Sequence, residues 1–125
     1  MQLPLQTVRR AAYKVGMDLL AAPLRETEFL VVDTETNGKA GDACEMTEVG
    51  AVLVGGGELH DRWSSLVGVV RPLSPGIQRF TGITQDMVRG APPPEAVLPE
   101  LAARMEGRVL VAHSAGSFVL EVGLG

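Results

Sequence analysis

The sequence has one cysteine, few aromatic residues and no long apolar run, and each shortage excludes a class of protein. Because Cys44 is the only cysteine, a secreted scaffold held together by intramolecular disulfides is excluded. Aromatic residues make up 4% of the 125 residues, which leaves few rings for stacking single-stranded bases. No segment approaches the ~18 apolar residues of a membrane span. We therefore expect a cytoplasmic protein that makes no membrane contact.

The charge is negative overall and unevenly distributed. A net charge of −4 argues against a protein that coats nucleic acid by charge alone, but it leaves open an enzyme that meets phosphates through metal ions. Residues 1–25 carry four basic groups against one aspartate, and the remaining residues carry seven basic groups against fourteen acidic ones. A basic leader over residues 1–25 therefore precedes an acidic body over residues 26–125. The hydrophobic content of 46% is enough for that body to form one folded domain.

The basic leader has two interpretations. A secretory signal needs an unbroken apolar stretch of about 7–15 residues, which Lys14 and Asp18 interrupt. An amphipathic helix over residues 7–22 fits better, because apolar side chains recur there at helical spacing. These side chains are Val8, Ala12, Val15 and Leu19. We predict the helix.

The sequence pattern of the body predicts three strands, followed by three helices and a fourth strand. The apolar run from Phe29 to Asp33 predicts a central strand buried on both faces. Three glycines at 55–57 predict a hairpin turn, and Ser74 and Thr84 are helix caps. The predicted strands cover residues 29–33, 46–54, 59–70 and 108–112, and the longest helix covers residues 95–105. A right-handed crossover places the fourth strand parallel to and beside the first, so both end at one edge of the sheet, where α/β proteins bind ligands.

The first strand ends in two carboxylates, Asp33 and Glu35. Residues two apart in a strand project to the same face, so the two side chains share one edge of the sheet. A divalent cation held by oxygen ligands would relieve their repulsion, and a metal pair about 3.5–4 Å apart can drive phosphodiester hydrolysis. The alternative is a strand that runs into a solvated acidic turn, because this short pattern also arises by chance.

The residues around this pair resemble a known family. Residues 29–38, read as FLVVDTETNG, are similar to the first motif of the DEDD-type 3′–5′ exonucleases, which include the proofreading subunit of bacterial replicative DNA polymerase. The similarity covers residues 28–115 and continues in register through TEVGAVLVGGGEL, RWSSLVGVVRPLSPGIQRFTGIT, APPPEAVLPEL and VLVAHSA. The resemblance implies an α/β fold of the ribonuclease H type, a mixed five-stranded sheet with flanking helices.

The resemblance also implies a role for each matching site residue. Asp33 and Glu35 would be catalytic carboxylates and ligands of Mg²⁺ or Mn²⁺ in a two-metal site. Thr36 would place its backbone amide beside the 3′-terminal nucleotide. Glu48 would accept a hydrogen bond from the 3′-hydroxyl, and its alternative is a charge on the solvent face of the second strand. His113 matches a position beside the metal site, with a structural rather than catalytic role.

The C-terminal part departs from the family pattern. The aspartate that completes the metal site in the family is matched here by Phe118 or, with a one-residue insertion, by Val119, and neither side chain binds a metal. The third motif, with its histidine general base, is missing, so the chain contains no such base. We therefore expect an exonuclease domain that is incomplete at its C-terminus, from a frameshift near residues 116–118 or an incomplete gene model, with weak or no activity.

Two functions follow from these observations. The first is a metal-dependent 3′–5′ exonuclease that acts on single-stranded nucleic-acid 3′ ends in replication or repair, with a DNA polymerase subunit as a further partner. The second is a non-catalytic module that binds nucleic acid or a polymerase. Turnover that depends on the metal distinguishes the first from the second.

Overall fold

A computed structural model describes residues 21–113. The predicted leader helix lies outside the described residues except for its last two positions, and the predicted departures at Phe118 and Val119 lie outside them as well. Within residues 21–113, no helix has the length and apolar character needed to cross a membrane.

The described residues form a four-stranded mixed sheet with the strand order β3-β2-β1-β4. The strands are β1 (Glu28–Thr36), β2 (Met46–Gly55), β3 (Glu58–Leu66) and β4 (Val109–Ala112). β2 pairs antiparallel with both β1 and β3, whereas β4 pairs parallel to β1. The predicted hairpin and the predicted parallel neighbour of the first strand are therefore both confirmed. Gly56 and Gly57 form the hairpin turn with positive φ angles of 59° and 80°, which a side chain would disfavour.

Three helices lie between β3 and β4, as predicted. They are α1 (Pro75–Thr81), α2 (Gln85–Arg89) and α3 (Pro94–Met105). The Ser74 side chain accepts the Ile77 amide at the start of α1, and the Thr84 side chain accepts the Met87 amide at the start of α2. Two short 3-10 helices, Leu24–Glu26 and Gly41–Ala43, precede and follow β1.

The main core lies between α3 and one face of the sheet. α3 turns its buried side chains toward buried residues of the strands. The helix contributes Val97, Leu101 and Met105, and the strands contribute Leu30, Val32, Val49, Ala51, Leu110 and Ala112. A smaller buried cluster packs α2 against the segments on either side of α1. It consists of Leu73, Ile83 and Val88.

The prediction that the first strand is buried on both faces is wrong for the described residues. Leu30 and Val32 are buried, but Val31 between them is 40% exposed and Asp33 is exposed. An entirely apolar strand can be covered on one face or on both faces, because its sequence alone does not reveal which elements pack on each side. We call the side of the sheet that carries Val31 and Asp33 the open face.

The third strand is shorter than predicted. It ends at Leu66, because the chain leaves the sheet two residues later, where the Gly68 amide donates to the Pro92 carbonyl at 2.8 Å. A Cβ at Gly68 would lie 2.9 Å from the Ala91 carbonyl oxygen. Glycine therefore allows this close approach to the segment before α3, a tertiary contact that the apolar sequence of residues 67–70 does not signal.

Candidate active site

The open face carries Asp33 and Glu35, as the two-residue spacing predicts. Both belong to β1, where odd-numbered residues project away from the core formed by Leu30 and Val32. Asp33 is exposed, and its Oδ1 accepts a hydrogen bond from the Thr34 amide at 3.0 Å. Glu35 is partly buried. The two carboxylates are therefore accessible on one face, two residues apart.

The strand register brings a third carboxylate to the same place. Glu48 of β2 lies directly opposite Glu35 of β1. Residues directly opposite in an antiparallel pair share a face, with Cβ atoms about 4.5–5.5 Å apart. The alternative interpretation of Glu48 was a charge on the solvent face of the second strand. That solvent face is the open face, which also carries Asp33 and Glu35.

Beside Asp33 the open face has room for a ligand. Asp33 lies opposite Gly50 of β2, and a Cβ at Gly50 would meet nothing within 4 Å. A shallow cleft of about 410 Å³ extends from this point across the sheet to β3. Its lining residues are Val31, Asp33, Gly50, Ala51, Val52, Arg62, Trp63 and Ser64.

Thr36 is the last residue of β1 and lies at an irregularity in the strand pairing. The register shifts between Glu35 and Thr36, so that Thr36 lies opposite Met46. Its Oγ1 accepts a hydrogen bond from the Gly38 amide at 3.1 Å. The bulge and this bond turn the chain directly after the carboxylate pair.

His113 lies at the same end of the sheet. β4 pairs parallel to β1 as far as Val32 opposite Ala112, so Asp33 and His113 each follow the last paired residue of their strand. His113 is exposed. The structure therefore brings all five predicted site residues to one end of the sheet, with Asp33, Glu35 and Glu48 on one face.

Asn37 organises the loop after β1, and sequence reasoning assigned it no role. It is 5% exposed, its Nδ2 donates to the Ala43 carbonyl at 2.9 Å, and its Oδ1 accepts the amides of Lys39 and Glu45 at 3.1 Å each. Its own amide donates to the Glu45 carbonyl at 2.9 Å. The signal was available, since an Asn-Gly pair directly after a strand is typical of a side chain that closes a turn.

Glu45 links this loop to the segment before α1. Its two carboxylate oxygens accept the backbone amides of Val70 at 2.7 Å and Arg71 at 2.9 Å, and the Arg71 guanidinium lies 3.6 Å away. Partial burial by itself raises the pKa of Glu45, but the two amide bonds and the positive charge of Arg71 outweigh it and hold the pKa below its ordinary value. Glu45 is therefore a structural carboxylate, in contrast to the three on the open face.

The carboxylates of the open face have the right chemistry to bind a divalent metal, but they are too few to form a complete set of ligands. Carboxylate oxygens are the ligands that Mg²⁺ and Mn²⁺ prefer. Among residues 21–113, however, no group of three or more acidic, histidine or cysteine side chains is arranged to hold a metal ion. The described part of the chain thus supplies a partial ligand set.

The sequence profile of the exonuclease family RNase_T matches residues 30–124. The match spans more than half of the chain, so the chain belongs to the exonuclease family. This result confirms the family resemblance seen in the motifs.

Individual proteins are similar to this chain in sequence or in fold. The PolC-type DNA polymerase III of Halalkalibacterium halodurans is 42% identical over 93 residues, which cover 74% of this chain and 6% of the polymerase. Exonuclease X, solved in complex with 5′-overhanging duplex DNA, is 30% identical with a TM-score of 0.52 over 69% of this chain and 55% of its own. The nuclease domain of 3′hExo, a DEDDh family member bound to rAMP, has a TM-score of 0.67 at 24% identity, over 81% of this chain and 60% of its own.

These solved structures confirm the predicted α/β fold with a ribonuclease H-like mixed sheet. The chain spans a small part of the polymerase and just over half of the two exonuclease chains, so it covers only part of the domain.

Proposed function

We propose that this chain carries the first part of a 3′–5′ exonuclease site, which hydrolyses phosphodiester bonds at single-stranded nucleic-acid 3′ ends. The observation that carries the proposal is the placement of Asp33, Glu35 and Glu48 on one open sheet face, beside the space at Gly50. The family match supports hydrolysis of nucleic acid. The polymerase relative supports a role in replication or repair and a polymerase subunit as partner.

Each site residue has a task in this proposal. Asp33 and Glu35 would hold Mg²⁺ or Mn²⁺, which would supply Lewis-acid stabilisation of phosphate oxygens. Glu48 accepts a hydrogen bond from the 3′-hydroxyl, and the Thr36 amide lies within reach of the terminal nucleotide. His113 borders the site from β4.

We expect the 125-residue chain to have weak or no activity. In this proposal Asp33 and Glu35 are the only ligands from residues 21–113, where no group of three or more ligand side chains is arranged to hold a metal ion, and the position that matches the family's next ligand holds Phe118 or Val119. A positioned general base contributes typically 10²–10⁴-fold to such a reaction, and the chain matches no family motif that provides one.

The experiment uses a single-stranded oligonucleotide labelled at its 3′ end, with DNA and RNA versions, in Mg²⁺ or Mn²⁺. A 3′–5′ exonuclease releases the label as a mononucleotide at once, whereas attack from the 5′ end releases it last. Slow 3′ release that disappears in Asp33→Ala and in EDTA supports the proposal. Release that persists in Asp33→Ala, or that begins from the 5′ end, contradicts it.

The partial ligand set favours a second candidate, a module that binds nucleic acid or a polymerase without turnover. In this case, binding of a fluorescent oligonucleotide is the same in EDTA and in Mg²⁺, and no product forms in either. Binding that requires the metal, or any turnover abolished by Asp33→Ala, rejects this candidate.

A further inference from the structure

The open face carries an arginine as well as the carboxylates. Arg62 of β3 lies opposite Val52 of β2, which in turn lies opposite Val31 of β1. Residues directly opposite each other in antiparallel strands share a face, so Arg62 projects to the same side of the sheet as Asp33. Arg62 borders the cleft of about 410 Å³ from β3, and Asp33 borders it from β1.

The Arg62 side chain is available to a ligand in the cleft. It is exposed, and among residues 21–113 its guanidinium forms no ion pair. Its backbone amide is the group that donates to Asp61 Oδ1 at 2.8 Å. Asp33 is two strands away, about 10 Å at the usual strand spacing, so the two opposite charges are too far apart to pair directly. The cleft therefore has a separate positive charge on its β3 side.

The floor of the cleft between Asp33 and Arg62 is apolar. Gly50 lies opposite Asp33, and a Cβ there would meet nothing within 4 Å. Val31 is 40% exposed, and Val52 is partly buried. Apolar side chains in a cleft with a few polar groups at its border are typical of a ligand site. This floor suits an uncharged sugar or base, whereas the border at Arg62 suits a phosphate, because guanidinium groups bind phosphate oxygens through parallel hydrogen bonds.

The proposed site residues give the direction in which a bound strand would run. Under the proposed function, Glu48 accepts the 3′-hydroxyl, and the scissile phosphate lies beside Asp33. Glu48 is opposite Glu35, two residues beyond Asp33 on β1. Val31 and Arg62 share the cross-strand row two residues before Asp33. Because the 3′ end is the end of the strand, the nucleotides 5′ of the scissile bond leave toward the row of Val31 and Arg62.

We propose that Arg62 binds a phosphate of the substrate strand on the 5′ side of the scissile bond, while Val31 and Val52 contact the sugar or base between that phosphate and the scissile one. The inference rests on the proposed function, which sets the position of the 3′ end. Arg62 binds the strand away from the reacting phosphate, so it affects the affinity for the strand. The alternative is that Arg62 only offsets the charge of the carboxylates, which requires no particular phosphate.

The test removes one phosphate charge of the ligand at a time. The full chain in Mg²⁺ is titrated with single-stranded DNA labelled at its 5′ end, and fluorescence anisotropy measures the affinity. In a series of strands, a neutral methylphosphonate replaces each linkage near the 3′ end in turn. At one linkage on the 5′ side of the scissile bond, this replacement should weaken binding about three- to tenfold, because a charge-assisted hydrogen bond is lost. Arg62→Gln should weaken binding of the unmodified strand by the same factor and abolish the response at that linkage.

Arg89→Gln is the matched control for a general effect of charge. It removes an equal charge from an exposed arginine that pairs with Asp86, and it should leave the response at every linkage unchanged. In Arg62→Gln, the slope of log affinity against log salt concentration should also become shallower by about 0.7, the value for one phosphate contact to a single strand.

The inference is overturned if the unmodified protein binds no strand, if Arg62→Gln keeps full affinity, if every linkage responds in Arg62→Gln as it does in the unmodified protein, or if Arg89→Gln weakens binding equally. The release assay with the 3′ label tests the proposed function separately. Release that Asp33→Ala abolishes, together with an unchanged linkage response in Arg62→Gln, rejects the Arg62 contact alone. Release that begins from the 5′ end rejects the proposed function and, with it, the direction of the strand.

Discussion

Glu35 and Glu48 lie directly opposite each other on adjacent strands, with both carboxylates on the open face of the sheet. Like charges in such a cross-strand pair destabilise the fold in the absence of a cation. The pair therefore carries a cost in stability at the place that we propose to be a metal site.

We predict that Glu48→Gln stabilises the metal-free protein. Removal of one charge from the pair should raise the free energy of unfolding by about 0.2–1 kcal/mol, the range of cross-strand pair energies. Urea unfolding in EDTA measures it. Glu58→Gln, an exposed change in β3 at the far end of the sheet, is the control and should leave stability nearly unchanged. A loss of stability in Glu48→Gln would contradict the repulsion.

The carboxylate pair should also bind Mn²⁺ measurably. We expect Asp33→Asn and Glu35→Gln each to weaken Mn²⁺ binding about tenfold or more, because a neutral amide replaces a charged ligand. Isothermal titration of the metal-free chain measures the affinity. Asp42→Asn, an exposed carboxylate in the loop after β1, is the matched control, and an equal loss there would indicate diffuse attraction of the cation instead of a site.

The sequence predicted the strand order and the common face of the β1 carboxylates well, because both depend on local signals, whereas the roles of the site residues stay predictions. The two-residue spacing of Asp33 and Glu35 determines their shared face, and the glycines at 56 and 57 determine the hairpin. The role of Asn37 was missed although its Asn-Gly pair is a local signal for a turn. The role of Glu45 was missed, since the amides that it accepts lie 25 and 26 residues away and depend on how the loops fold. The exposure of Val31 was missed for a similar reason, because an apolar run does not identify the elements that cover each face.

Glu45 should make stability depend on pH. Its pKa is lowered in the folded state, so the charged carboxylate stabilises the fold fully above its ordinary pKa of 4.5, and this contribution is lost as the pH falls through the lowered value. Glu45→Gln should cost about 1–3 kcal/mol at pH 7, since hydrogen bonds to a charged group are replaced by weaker ones. The difference between the two proteins should shrink with acid, and a constant difference from pH 7 to pH 3 would exclude this role for the charge.

Asn37 should hold the loop of residues 37–45 in place beside the carboxylates. We expect Asn37→Ala to destabilise the protein by about 1–3 kcal/mol, because it leaves the amides of Lys39 and Glu45 without their acceptor. Asn37→Asp retains the acceptor of both amides but places a buried carboxylate oxygen against the Ala43 carbonyl, so it should also destabilise the protein. Chemical denaturation gives the two values, and hydrogen exchange at the Lys39 and Glu45 amides should quicken in Asn37→Ala. Unchanged exchange at both amides would show that the side chain does not secure the loop.

Gly38 and Ile77 should be energetically coupled, because the loop after β1 packs directly on α1. Gly38 has a φ of 75°, and a Cβ there would lie 2.9 Å from Ile77 Cδ1 and 3.5 Å from its Cγ1. Gly38→Ala therefore meets two obstacles, a backbone conformation that costs an alanine about 1–2 kcal/mol and a steric clash. Ile77→Val removes the Cδ1 atom and relieves the clash but not the backbone strain.

In a double-mutant cycle, Gly38→Ala with Ile77→Val should thus be less destabilised than the sum of the two single variants. Ile77→Val alone should cost about 0.5–1.5 kcal/mol, as for a buried methylene, and the lower end suits a half-buried side chain. Urea denaturation of the four proteins measures the coupling. The control replaces Ile77→Val by Val97→Ala in the main core, which shares no residue with the cluster around Ile77, so the effects should add. Additive effects of Gly38→Ala and Ile77→Val would show that the loop and α1 are not in close contact at this point in solution.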